Sequence, residues 1–373
     1  VPSETPTGGA SGSPTATATA TATPTAFPMA TATASATLAA SSPSPSPTAT
    51  IVATATPSPK PTGTLAPNAC AQTPAPATTA NTIAVVPFST FSSALSAGTT
   101  ICFSAYVFTS ESFQALDTAA KNGANETVIL PQEEYSDDAS DANQLAADGA
   151  HVIYDQGTST PPLHAKLALV NGMAYLDGRN WDTSDVVIAD TYAADYTAIQ
   201  NALALDPTSS TNLDTLKSIA LAREANMITA AANGGSLSGV TIRFMTESFS
   251  SGASNVISAL ESAAQAGATV EVVVLSSYVQ GNSGEMSLLT TLQSPPYNMS
   301  VRLNPNSGSE KMTLISNQTT GWFGSSNATS SSSQSDNYID WGLTVSDPTV
   351  LSDLQSYYDM TYAASTPYGS SGN

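Results

Sequence analysis

From about residue 81 onward, short apolar runs alternate with stretches in which apolar residues recur every three or four positions. Residues 100–108 form a strand-like run of mostly apolar residues. Ser110-Glu111-Ser112-Phe113 then opens a helical pattern with Phe113, Leu116 and Ala120 on one face, closed by Asn122-Gly123. Residues 127–130 and 149–154 read as further strands. The apolar run from Leu163 to Gly172 reads as another and carries His164 and Lys166 two positions apart.

The same order returns in the second half. Residues 239–245 are strand-like, and Thr246-Glu247-Ser248-Phe249 leads into a helix with Val256, Leu260 and Ala264, ending at Gly267. Residues 269–275 and 299–303 are strands, followed by a run containing Ser309 and Lys311 and by Gly324-Ser325-Ser326-Asn327. Gly123 and Gly267, Lys166 and Lys311, and Asn180 and Asn327 recur at nearly the same offset. Strand-helix-strand units of this length imply an α/β fold with largely parallel sheets covered by helices. Two similar halves related by a pseudo-twofold would form one globular core and bring the two lysine strands together. The expected halves are residues 81–212 and 213–365, with a flexible tail over 366–373.

Composition sets the first 80 residues apart. They are nearly all Thr, Ala, Ser and Pro, with Glu4 and Lys60 as the charged residues. Such a segment lacks the bulky apolar surface that would offset chain entropy. It reads as a disordered, extended stalk of the kind that carries O-linked glycans. The rest of the chain carries the formal net charge of −20. That acidity argues against a nucleic-acid partner, because polyanion binding draws on many Lys and Arg. No apolar run is long enough to span a membrane. Val1-Pro2-Ser3 reads as a mature terminus or a cloning boundary. Cys70 and Cys102 are the two cysteines, and an even pair in an exported protein points to one disulfide. Asn125, Asn298, Asn317 and Asn327 each open an Asn-x-Ser/Thr acceptor pattern, which arises often by chance in such a Ser/Thr-rich chain. A secreted or cell-surface protein is expected.

Residues two apart on a strand share a face, so His164 and Lys166 can converge on one anion. His164, Lys166, Arg179 and Asn180 lie close together in a chain with nine basic residues and two histidines. These residues resemble the phospholipase D superfamily, whose halves each bring a His-x-Lys, a later Asp and a Gly-Ser-x-Asn turn. The first half supplies His164, Lys166 and Asn180, with Asn171 at the Asp position and Gly178-Arg179 near the Gly-Ser position. The second supplies Lys311 and Gly324-Ser325-Ser326-Asn327, with Ser309 at the His position and Ser316 at the Asp position. The segments 340–348 and 185–190 resemble the family's acidic-residue-then-strand ending.

The resemblance implies phosphodiester hydrolysis or transfer without a metal or cofactor. His164 would be the nucleophile, forming a phosphohistidine. Lys166 and Lys311 would neutralise the phosphoryl oxygens, with Asn180 and Asn327 donating hydrogen bonds. Asp185 is the expected carboxylate orienting His164, and Arg179, Ser309 and Ser325 join the substrate-binding set. Arg179 either enters the pocket or pairs with Asp177 or Asp182. The second histidine is missing, and a serine hydroxyl cannot act as a general acid near neutral pH. His151 is the other imidazole and reads either as a substitute acid or as a half-buried strand residue. Glu310 should point away from the site on a regular strand.

Residues 133–141 read as a solvated acidic loop leading into a helix near residues 142–147, since they lack the spacing and glycine of a calcium loop. Trp181, Trp322 and Trp341 fall beside the motif turns and read as core or pocket wall. Two functions follow. One is an exported phosphodiesterase acting on a phosphodiester or phospholipid. The other is a catalytically silent surface protein on a glycosylated stalk, with self-association through exposed strands.

Overall fold

The computed structural model describes residues 69–74, 82–154, 163–204, 224–306, 308–329 and 340–369. Apart from 69–74, the expected stalk lies outside these residues, as does the end of the tail.

Two seven-stranded sheets make the core. The first contains β1 (Ile83–Val86), β2 (Thr100–Ser104), β3 (Asn125–Leu130), β4 (His151–Tyr154), β5 (Lys166–Val170), β6 (Met173–Asp177) and β7 (Val187–Asp190), in the order β1-β7-β6-β5-β2-β3-β4. The second contains β8 (Thr241–Met245), β9 (Thr269–Leu275), β10 (Ser300–Asn304), β11 (Lys311–Ile315), β12 (Gly321–Gly324), β13 (Gly342–Val345) and β14 (Thr366–Pro367), in the order β13-β12-β11-β8-β9-β10-β14. Leaving out the edge strands β1 and β14, the two orders are the same. This is the duplicated α/β architecture read from the sequence, with Thr366–Pro367 pairing on β10 where a free tail was expected.

The sheets are mixed rather than largely parallel. β2, β3 and β4 run parallel, as do β8, β9 and β10, while β5, β6 and β7 pair antiparallel, as do β11, β12 and β13. Local turn chemistry explains this. Asn171 and Gly172 both have positive φ, at 49° and 89°, and close a two-residue hairpin between β5 and β6. A tight hairpin forces antiparallel pairing, whereas the parallel strands are joined by helices. Helix Ser110–Lys121 bridges β2 to β3, and Ser254–Gln265 bridges β8 to β9. Thr109 and Ser112 cap the first of these reciprocally, with Glu111 in its first turn and Lys121 in its last.

The acidic segment is not a loop. Gln132–Glu134 is a 3-10 turn and Tyr135–Ala147 a helix, with Asp137 and Asp138 in its first turn, where carboxylates favour the helix N-terminus. Ala142 and Leu145 anchor it to the core.

Residues of both sheets share one apolar cluster, in which Leu167 and Leu176 join Met312, Phe323 and Trp341. Separate clusters lie under the helices of each half. Trp181 is buried and stacks on Phe91 at 4.4 Å, so it is a core residue, as are the buried Trp322 and Trp341. Cys70 and Cys102 form a disulfide that ties the helical turn Ala69–Gln72 to β2 across 32 residues. Closing a loop of that size is worth about 3–4 kcal/mol in chain entropy.

Candidate functional site

β5 and β11 occupy equivalent places in their sheets, and each begins with a buried lysine. Lys166 opens β5 and Lys311 opens β11, at 0% and 1% exposure. His164 lies two residues before Lys166, on a segment held to β2 by the Ser104 hydroxyl, which donates to the Ala165 carbonyl at 2.9 Å.

His164 does not meet Asp185. Its Nδ1 lies 2.7 Å from Oδ1 of Asp340, in the other half. Strand register explains the exchange. Val187 pairs with Asp177 in the first half and Gly342 with Gly324 in the second, which makes Asp185 and Asp340 equivalent positions. The acid of the second half thus serves the histidine of the first. Ser325 donates its hydroxyl to the same Asp340 oxygen at 2.7 Å and accepts from the Trp341 N–H at 3.1 Å. Burial would raise Asp340, but the imidazole and Lys166 outweigh it and hold the carboxyl down to about 2. Burial and the Lys166 charge push His164 below its usual range, against the pull of Asp340. At neutral pH the imidazole is therefore uncharged. Its Nδ1 proton faces Asp340, leaving a lone pair on Nε2.

Tyr106, two residues past β2, packs edge-on to His164 with ring centroids 4.9 Å apart, and Lys166 Nζ lies 5.6 Å from the Tyr106 ring centre. Lys166 Nζ is buried without a hydrogen-bond partner among the described residues. Burial and the charge of Lys311 push it down to about 7. An orphaned buried ammonium is costly, and a ligand oxygen would satisfy it. Lys311 differs: its Nζ donates to the Gly178 carbonyl and to Glu247 Oε2, both at 2.9 Å.

A pocket of about 180 Å³ opens here, lined by Tyr106, His164, Ser248, Tyr278, Asn327, Thr329 and Asp340. The Asn327 side-chain oxygen accepts from the Ser248 N–H at 3.3 Å, which fixes its Nδ2 as the donor end of an amide at the pocket wall. Asn180 is not among the lining residues.

The second half-site is built differently. Ser309 is fully buried and accepts a hydrogen bond from Asn304 Nδ2 at 2.9 Å. Arg179 neither lines the pocket nor pairs with Asp177 or Asp182. Its Nη1 meets Asp185 Oδ1 at 2.7 Å and donates to Ser184 Oγ at 2.8 Å. The guanidinium lies against Gly308, where a Cβ would come within 2.5 Å of its Nε. Glu310 points inward, accepting from the Val186 N–H at 2.8 Å, because the segment before β11 is not regular strand. Gly178 leaves it room. Oxygens of Asp177, Asp185 and Glu310 lie within 4.8 Å of one another. Burial raises these carboxyls to about 7, 9 and 8 respectively. Such oxygens are ligands for a hard cation, though here Arg179 already supplies positive charge at Asp185.

Asn171 and Ser316, at the positions of the motif Asp, are turn caps. Asn171 Oδ1 accepts from the N–H groups of Thr99 and Thr100, and Ser316 Oγ from that of Thr241. His151 sits on edge strand β4, three strands away from β5. Sequence reasoning missed Glu247, Tyr106 and the role of Asp340. The signal for Asp340 was its equivalence to Asp185 combined with a twofold that swaps partners.

No protein-family model matches the chain, and no curated protein does. Solved structures do. A polyphosphate kinase from Porphyromonas gingivalis is 15% identical with a TM-score of 0.50, covering 76% of this chain and 50% of that one. The chain thus spans about half the length of that kinase. That likeness is one of fold, shared over three quarters of this chain. A phospholipase D family member, Nuc from Salmonella typhimurium, is 17% identical with a TM-score of 0.31, covering 38% of this chain and 89% of its own. Also similar is TrmBL2, described as an archaeal chromatin protein with a novel mode of DNA binding, at 8% identity and a TM-score of 0.28, covering 40% and 50%. The expectation that nucleic acid is excluded as a partner does not stand beside that neighbour. Net charge over a whole chain constrains such binding less than the local distribution of charge does. No helix among the described residues is long and apolar enough to cross a membrane.

Proposed function

We propose that this protein is a degenerate phospholipase D-like phosphodiesterase that retains one catalytic histidine and has Ser309 in place of the second. The observation carrying this reading is the 2.7 Å contact between His164 Nδ1 and Asp340, together with the buried ammonium of Lys166, which has no hydrogen-bond partner among the described residues. A phosphodiester would place a non-bridging oxygen near Lys166 and accept from Asn327. His164 Nε2 attacks phosphorus, forming a phosphohistidine as the bond to one ester oxygen breaks and the alcohol leaves, while Asp340 stabilises the charge that develops on the ring. Water or another hydroxyl then takes the phosphoryl group. Asp340 replaces Asp185 in this assignment.

Export fits the buried disulfide and the Ser/Thr/Pro composition of residues 1–80. A second reading, a silent binding or surface module, is favoured by one observation. Arg179 and Asp185 fill the region beside Ser309, and Glu247 already neutralises Lys311. Incubation with bis(p-nitrophenyl) phosphate and with phosphatidylcholine vesicles separates the two. Turnover that disappears in His164→Ala, with an acid-labile phosphoprotein trapped on quenching, is expected. Equal background from wild type and variant would leave only the silent module.

A further inference from the structure

The pseudo-twofold says what should face Ser309. In the first half Ser104 pairs with Leu167, the residue after Lys166, and in the second Met245 pairs with Met312, the residue after Lys311. Two residues beyond each stand Tyr106 and Glu247, which are therefore equivalent. Tyr106 packs against the imidazole of His164. Glu247 thus holds the place that, in a symmetric molecule, would lie against a second imidazole at position 309. Its carboxylate lies on Lys311 at 2.9 Å, and the next residue, Ser248, lines the pocket.

We propose that Glu247 is the general acid–base that stands in for the missing histidine, and that it is armed when a phosphodiester displaces it from Lys311. The inference rests on the phosphodiesterase reading of the same pocket. The charged groups bearing on Glu247 are Lys311, Lys166 and His164, with Asp340 behind the imidazole; Lys311 is also under the influence of Glu310 and Arg179. Burial would raise Glu247, but Lys311 outweighs it and keeps the carboxyl ionised. An incoming monoanion that takes over Lys311 removes that partner and adds a like charge. Both effects raise the carboxyl, which takes a proton from solvent.

The chemistry then balances. His164 Nε2 forms a bond to phosphorus as the bond to the leaving oxygen breaks, and that oxygen takes the proton of Glu247. In the second step Glu247 accepts a proton from water, whose oxygen bonds to phosphorus as the P–N bond breaks and returns its pair to His164. No metal or redox partner enters.

The test is calorimetric titration of the full chain with dimethyl phosphate, a diester that does not itself titrate. It is run near pH 7 in two buffers of different ionisation heat, on wild type, Glu247→Gln and Glu247→Asp. Wild type is expected to take up about one proton at Glu247 in addition to the share that Lys166, pushed down to about 7, takes up as the anion settles beside it. Glu247→Gln should take up about one proton less than wild type and bind roughly tenfold tighter, its internal competitor gone, and Glu247→Asp should keep the wild-type uptake. Turnover gives a second readout. Glu247→Gln should lose roughly 10²–10⁴-fold on an alkyl ester and far less on a p-nitrophenyl ester, whose leaving group needs no proton. Equal proton uptake by wild type and Glu247→Gln, or equal losses on both esters, would overturn the role of Glu247 while leaving the pocket intact. No binding by wild type would overturn the pocket, and this role with it.

Discussion

The two half-sites share a backbone and differ in what was placed on it. In the first, a carboxylate from the opposite half, Asp340, meets an imidazole; in the second, the equivalent Asp185 meets a guanidinium. Lys166 has no hydrogen-bond partner among the described residues, whereas Lys311 is satisfied twice. The first half-site keeps unmet polar demand, which ligand binding can satisfy. The second satisfies Lys311 internally, while Asp177 Oδ1, Arg179 Nε and Glu310 Oε2 stay without hydrogen-bond partners among the described residues. The sharpest way to break this contrast is to remove the two acids separately. Asp340→Ala should lower turnover by roughly 10³–10⁴-fold, as loss of an orienting carboxylate does. Asp185→Ala removes the 2.7 Å partner of the buried Arg179 Nη1 and should cost about 1–3 kcal/mol of stability. Denaturant midpoints and turnover measured on both variants decide the matter. Matching losses of activity would mean that Asp185 serves the chemistry as Asp340 does.

Rebuilding the second half-site is the next largest step. Ser309→His alone should destabilise by about 1–3 kcal/mol, since Arg179 already fills the space over Gly308. Pairing it with Arg179→Ser frees both the space and Asp185. The double variant should gain about tenfold to a hundredfold on substrates with poor leaving groups. If Glu247 is the acting acid, Glu247→Gln should become nearly harmless in that background, which a double-mutant comparison of turnover reads directly.

The same contrast shows how much was legible in the chain. The duplication, the lysine strands and the Gly-Ser-Ser-Asn turn could be read because local periodicity and spacing carry them. Strand direction could not, because it hangs on a hairpin at Asn171-Gly172 that sits inside a longer apolar run. The helix over Tyr135–Ala147 was hidden by its acidic first turn, although that charge suits a helix N-terminus. His164 was found, but its partner was assigned to the nearer acid. Sequence proximity favours Asp185, and only the facing of two sheets brings Asp340 across. Glu247 had no signal of its own type. It gains meaning from its equivalence to Tyr106, which requires the register of β8 on β11.

The buried acids of the second half-site should also mark the pH dependence of stability. Asp177, Asp185 and Glu310 are raised, chiefly by burial, so the fold favours their neutral forms. Their contribution is fully present below about pH 4 and is lost as pH rises toward 7–9. His164, which is lowered, acts in the opposite sense below about pH 6.5, and Lys166 acts only above about 7. Thermal midpoints should therefore fall between pH 4.5 and 7. Glu310→Gln should flatten that fall by roughly 1–3 kcal/mol over the window. An unchanged slope would mean that Arg179 keeps Glu310 ionised throughout.

The smallest expected difference separates the two asparagines that the motif treats alike. Asn327 is anchored through its oxygen by the Ser248 N–H and sits on the pocket wall, so its Nδ2 can donate to a phosphoryl oxygen. Asn180 is half-buried outside that wall, and its Oδ1 has no hydrogen-bond partner among the described residues. A hydrogen bond to a charged acceptor is worth about 1.5–3 kcal/mol. Asn327→Ala should therefore weaken dimethyl phosphate binding by roughly tenfold or more, with a clearly smaller effect for Asn180→Ala. Equal weakening would place both halves around one anion, and the asymmetry between the half-sites would then stop at Ser309.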